Sequence, residues 1–161
     1  MGLTKKNKII IFGGVAIALF LLVIFGAVVL TGSKTIMTLI KIGDQKISVE
    51  IAASPLAQYR GLSGRPDLCA DCGMLFNFND SQEREFVMRD MKFPLDIIFI
   101  NRGRIIKIAD NLPPEGNKPV NVYRSDSPAD QVLEVNAGYC SARGLEVGAA
   151  LLKESEDSLT D

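Results

Sequence analysis

Two hydrophobic patterns divide the chain. From Ile9 to Leu30 every position is apolar or glycine and none is charged. At about 1.5 Å per helical residue such a run covers the roughly 30 Å hydrocarbon core of a bilayer, which predicts a membrane-spanning helix over residues 9–31. Lys5, Lys6 and Lys8 stand just before it in the basic stretch 1–8. That cluster holds the N-terminus on the cytoplasmic side and sends the rest of the chain across. The apolar part of a cleaved secretory signal is shorter, about 7–15 residues. The exit Val29-Leu30-Thr31-Gly32-Ser33 also lacks a small-x-small cleavage site, and no cysteine follows closely enough for a lipid anchor.

After the apolar run the pattern shortens to the alternations of strands. Residues 35–42 and 46–52 are rich in Ile, Val and Thr around the turn Gly43-Asp44-Gln45, and predict a β-hairpin. Ser54-Pro55 is a helix start and Gly61 a stop, giving a short helix over 55–60. Strands are expected over 73–78, 84–90, 95–101 and 104–109, with Arg102-Gly103 as a tight hairpin turn between the last two. Residues 110–130 carry four prolines and no hydrophobic period, so they read as one long loop, the kind of segment that forms a binding rim. A strand over 131–136, a helical turn over 137–143 and a strand over 145–152 complete the domain. The acidic segment 153–161 reads as a disordered tail. The expected architecture over 32–152 is mainly β, a small sandwich or barrel-like domain with one or two short helices.

Composition sharpens this. The 161 residues are 47% hydrophobic and 23% charged, with mean hydropathy +0.19, a value raised by the N-terminal run. Three of the 18 basic residues and none of the 19 acidic ones lie in the first 31 positions, which leaves 15 against 19, a net charge of −4, for the remainder. Nucleic acid requires a basic stripe, so no nucleic-acid partner is expected. The chain has no histidine. That excludes the Ser-His-Asp and Cys-His nucleophile arrangements and every His-ligated metal site.

Cys69 and Cys72 bracket Ala70-Asp71, and Cys140 stands far away. Three thiols are too few for a structural zinc, so no metal is expected. Pro66 and Gly73 flank the pair as loop residues, whereas a reactive dithiol opens a helix. A local disulfide between Cys69 and Cys72, or two free thiols, is the expectation, and the disulfide suits an oxidising exterior. Asp96 opens Leu95-Asp96-Ile97-Ile98-Phe99-Ile100, a run buried on both faces, and needs a partner. Arg60, Arg65 and Arg89 are the candidates, either as a structural ion pair or as the polar floor of a pocket. Glu134 is a second acid in an apolar strand, and with Asp96 it would make the carboxylate pair of a glycosidase. Met74, Met88, Phe76, Phe78, Phe86 and Tyr139 read as core.

Arg60-Gly61-Leu62, Gly73-Met74-Leu75-Phe76-Asn77-Phe78, Phe86-Val87-Met88-Arg89, Pro94 through Ile100, and Val132 through Gly138 resemble, in order and spacing, the Domain of Unknown Function 192 family. The resemblance runs from about Ile47 to Gly148. It implies a compact β-sandwich-like domain, often behind a signal or anchor, and supplies no cofactor, activity or catalytic residue. Three positions depart from the family pattern: Val87 stands in place of a tryptophan, Asp90-Met91 in place of Asn-Thr, and residues 113–123 carry no cysteine pair. The matching polar positions are Arg60, Arg65, Arg89, Asp96 and Glu134.

Functionally, these features suggest a membrane-tethered, extracytoplasmic, non-catalytic module binding a small-molecule or envelope ligand, glycan or peptide, beside the 110–130 loop. A carboxylate hydrolase on Asp96 and Glu134, or a structural protein-interaction domain, are the alternatives. Intact-mass analysis of the chain from a membrane fraction is expected to retain residues 1–31. A mature terminus near Ser33 would refute the anchor.

Overall fold

In the computed structural model residues 37–153 are described. The anchor expected over 9–31 lies outside them, as does the tail expected over 153–161 apart from Lys153, which ends the last strand, and among the described residues no helix is long and apolar enough to cross a membrane. Nine strands and two short helices follow in order: β1 Met37–Ile42, β2 Gln45–Ala52, α1 Pro55–Arg60, β3 Cys72–Gln82, β4 Glu85–Phe86, β5 Leu95–Asn101, β6 Arg104–Leu112, β7 Tyr123–Arg124, β8 Ala129–Asn136, α2 Tyr139–Ala142 and β9 Leu151–Lys153. The domain is mainly β.

Seven strands form one sheet in the order β6-β5-β8-β3-β2-β1-β9, and β4 pairs with β7 in a separate ribbon. All neighbours in the main sheet run antiparallel except β2 and β3, which are parallel and joined through α1. The sheet curls into a half-barrel until its ends touch. The Leu151 N–H donates to the Gly103 carbonyl (2.8 Å) and the Ile105 N–H to the Ala149 carbonyl (2.9 Å). Curling of this kind protects edges that would otherwise present open hydrogen-bonding groups.

Local chemistry explains most boundaries. The β5–β6 hairpin turns on Arg102 and Gly103, both with positive φ (49° and 70°), as a two-residue turn matched to strand twist requires. The Ser54 side chain accepts the Ala57 N–H at 3.1 Å and Pro55 follows in the first turn, which starts α1. β5 is buried along six consecutive residues because neighbours and packing cover both of its faces.

Apolar side chains gather in one cluster on each face of the sheet. One is formed by Ile40, Ile47, Val49, Leu75, Ile98, Leu133 and Val135 under Tyr139 and Cys140 of α2. The other is formed by Met74, Phe76, Ile97, Phe99 and Val132 under Leu62, Met88 and Met91. Alternation along each strand assigns residues to these faces.

Several expectations change. The run 84–90 contains only the two residues of β4, and these join β7 rather than the sheet. Val87 to Asp90 instead form a connection whose Met88 is fully buried. The strand expected over 145–152 is confined to Leu151–Lys153, because the preceding residues turn to close the sheet end. The loop 110–130 is shorter, since β6 runs to Leu112, β7 takes Tyr123–Arg124 and β8 begins at Ala129.

Asp96 does not meet an arginine. Its Oδ1 accepts the N–H groups of Asn111 (2.9 Å) and Gly138 (3.0 Å), and its Oδ2 that of Cys140 (3.0 Å). Between the pairs Leu95↔Leu112 and Ile97↔Ala109 the β6 strand carries one extra residue, a bulge, and Asn111 adopts φ 52° within it. That bulge aims the Asn111 amide at the carboxyl. The carboxyl thereby caps α2 and ties three segments to the central strand. Replacing Asp96 with Ala would strand three donors. The expected loss is roughly 3–5 kcal/mol in urea unfolding, and a loss below about 1 kcal/mol would show that the cap is dispensable.

Candidate functional site

At Gly61 the chain leaves α1 with φ 50°, a backbone region that side chains with a Cβ rarely adopt, and doubles back over the sheet. A Cβ there would stand 3.5 Å from Oε2 of Glu134, so the turn lies directly above that carboxyl. The returning segment is pinned beneath the β4–β5 connection. The Ser63 hydroxyl donates to the Arg89 carbonyl at 2.7 Å, and the Gly64 N–H to the Asp90 carbonyl at 2.9 Å. The Arg89 guanidinium lies 4.1 Å over the Tyr59 ring and donates to the Tyr59 carbonyl at 2.7 Å.

Between these two segments and the sheet lies a cavity of about 280 Å³. Phe76 and Phe78 of β3 and Glu134 of β8 form its floor, residues 58–63 one wall, and residues 85–91, including Phe86 and Val87, the other. Phe76 and Phe86 meet edge to face with centroids 5.0 Å apart. Arg60 and Arg89 stand at its margin. Its size places it at the small end of ligand sites.

Glu134 is 6% exposed, and its Oε2 is buried without a hydrogen-bond partner. Its strand neighbours in the sheet are Met74 and Ile97. Burial pushes its carboxyl from the ordinary 4.5 up to about 8, against the opposing pull of the Arg65 charge. Arg65 itself is held by Glu50, Nη2 to Oε2, at 2.6 Å.

The cavity thus unites three of the five expected polar positions: Arg60, Arg89 and Glu134. Arg65 lies outside its lining. Asp96 pairs with Val135 and Glu134 with Ile97, so the two acids project from opposite faces of the sheet. They share no cleft, and the glycosidase pair is ruled out. The 110–130 segment is likewise not a rim. It braces the wall from behind, with the Glu115 N–H donating to the Met88 carbonyl (3.0 Å) and the Asp90 N–H to the Gly116 carbonyl (3.2 Å).

Phe76, Phe78 and Phe86, read from sequence as core, pack against the core and also line the cavity. Tyr59 and Gln58 on α1 carried no sequence signal. Cys69 and Cys72 form a disulfide with Cα atoms 5.1 Å apart, fastening the end of the returning segment to β3. Cys140 is a buried free thiol that burial, and secondarily Asp96, push up to about 12. It therefore keeps its proton at neutral pH. Among the described residues no three acidic or cysteine side chains converge as metal ligands.

The model of the family DUF192, described as Uncharacterized ACR, matches residues 38–152. The chain belongs to the DUF192 family. Two solved structures share the fold of this DUF192 domain. One, from Sinorhizobium meliloti and provisionally described as a transcription regulator, is 27% identical with a TM-score of 0.71, covering 76% of this chain and 97% of its own. The other, a protein of unknown function from Novosphingobium aromaticivorans, is 27% identical with a TM-score of 0.69, covering 75% of this chain and 88% of its own. No curated protein matches the sequence significantly.

The buried carboxyl gives the DUF192 domain a signed pH dependence. Glu134 binds its proton more tightly folded than unfolded. The contribution of Glu134 to stability should be constant below about 4.5, decline by at most about 1.4 kcal/mol per pH unit as pH rises from 4.5 towards 8, and level off once the folded form ionises. Glu134→Gln should remove this slope, so its melting temperature should overtake that of the parent between pH 5 and 8.5. Parallel profiles would contradict the assignment.

Proposed function

We propose that this DUF192 domain is a membrane-tethered, extracytoplasmic, non-catalytic module that binds a small ligand in the cavity beneath the Gly61 turn. One observation carries the reading: Glu134, 6% exposed and with its Oε2 buried and without a hydrogen-bond partner, lines an aromatic-walled cavity large enough for a small molecule. A buried polar atom without a partner is unfavourable by about 1–3 kcal/mol, and proteins keep such groups where something else supplies the missing contact.

The absence of histidine from the chain leaves the cavity without a His-activated nucleophile, and Cys140 lies outside its lining, which favours binding over turnover. The anchor over 9–31 supports the membrane placement, and the Cys69–Cys72 disulfide is in keeping with an oxidising exterior. The regulator description of the Sinorhizobium meliloti relative is not adopted, because the acidic balance of residues 32–161 opposes nucleic-acid binding.

Val87 lines the cavity where the family pattern has tryptophan. Val87→Trp should fill the space while leaving the sheet intact. Thermal shifts of the full-length chain against a library of envelope fragments and metabolites are expected to show ligands for the parent, each weakened at least tenfold by Val87→Trp. A parent with no ligand, or one whose ligand the substitution leaves untouched, would remove the cavity from consideration.

A further inference from the structure

Resting on that reading, the charge layout of the cavity specifies the kind of molecule it takes. The floor holds a carboxyl group with one oxygen buried and unpartnered. A positively charged group set against a carboxyl so buried offsets its loss of water and supports its ionised form. The rings of Phe76, Phe78 and Phe86 line the same cavity, and aromatic surfaces favour ammonium groups.

The margin has the opposite preference. Arg60 and Arg89 both line the opening, and among the described residues neither is paired with an acid. Glu85, which also lines the cavity, is committed to Arg124 at 2.9 Å, and Glu50 to Arg65 at 2.6 Å. Two unpaired guanidinium groups repel a simple cation and attract an anionic end. A purely anionic ligand would leave the floor unpaired, and a purely cationic one would have to pass the arginines without compensation.

We propose that the cavity receives a small zwitterion, its ammonium end inward against Glu134 and its acidic end outward against Arg60 and Arg89. The volume of about 280 Å³ restricts it to a compact solute or a lipid headgroup. Binding the ammonium favours the ionised carboxylate, so Glu134 releases its proton to solvent as the ligand enters. The Gly61 turn covers this carboxyl, the Arg65 charge acts on it, and the charged groups Arg60, Glu85 and Arg89 line the same cavity.

The test is calorimetric titration of the full-length chain in a non-ionic detergent with phosphocholine and glycine betaine, and with inorganic phosphate and glycerol as anion-only and uncharged counterparts. The two zwitterions should bind and the counterparts should not. Affinity should rise up to tenfold per pH unit between pH 6 and 8, with net proton release in buffers of different ionisation enthalpy. Glu134→Gln, which keeps the neutral form and therefore the fold, should weaken binding at least tenfold at pH 8, and Arg60→Ala combined with Arg89→Ala should weaken it without abolishing the proton release. Preference for phosphocholine assigns a headgroup, and preference for glycine betaine an amino-acid-like solute. Binding that is pH-independent, takes up protons, or extends equally to glycerol or phosphate overturns the zwitterion while leaving a ligand-binding cavity standing. No binding by any probe overturns the zwitterion, and the Val87→Trp screen then decides the wider reading separately.

Discussion

The organisation of this domain depends on one strand pair, β5 against β8, in which neighbouring positions carry acids on opposite faces of a buried sheet. Asp96 pairs with Val135 and Glu134 with Ile97, so a single step of strand alternation separates two carboxyl groups with unlike environments. On one face a bulge in β6 and the start of α2 bring three amides to Asp96. On the other face nothing bonds Oε2 of Glu134. The first acid is a structural rivet and the second lines a cavity, and the difference lies wholly in what the rest of the chain places over each.

What covers Glu134 is a segment held at several points. Gly61 turns it, Ser63 and Gly64 bind it to the β4–β5 connection, and the Cys69–Cys72 disulfide fastens its end at the sheet. Asn136 donates to the carbonyls of Leu68 and Cys69, at 3.1 and 3.0 Å, and so ties the same loop to β8. These contacts hold the cover above the sheet instead of letting it collapse, and the space between remains. A pre-formed cavity of this kind requires little ordering when a ligand enters, which favours affinity from few contacts.

DUF192 membership accounts for the shared sheet, and the two solved relatives show that the architecture persists at 27% identity. The chemistry of the cavity belongs to particular residues. Val87 lines one wall, while Tyr59, under the Arg89 guanidinium, supplies an aromatic ring on the other. A fold held by alternating apolar faces tolerates exchanges at a cavity margin, where side chains are only half packed.

Much of the fold was written in local pattern. Alternating Ile and Val, the Ser54-Pro55 cap, the Arg102-Gly103 turn and the doubly buried 95–101 run each specify structure through neighbours in sequence, and each was legible for that reason. The family resemblance was legible too, as were Arg60, Arg89 and Glu134 as polar residues embedded in apolar blocks. Tertiary structure alone decided which face each acid occupies, because alternation gives parity within a strand but not the register between β5 and β8. It alone decided that Asp96 is satisfied by amides from residues 15 to 44 positions away, that 110–130 braces a wall instead of forming a rim, and that Phe76 and Phe86 border open space. Those outcomes depend on contacts between distant segments, and a linear order of residues encodes them only through the folded whole.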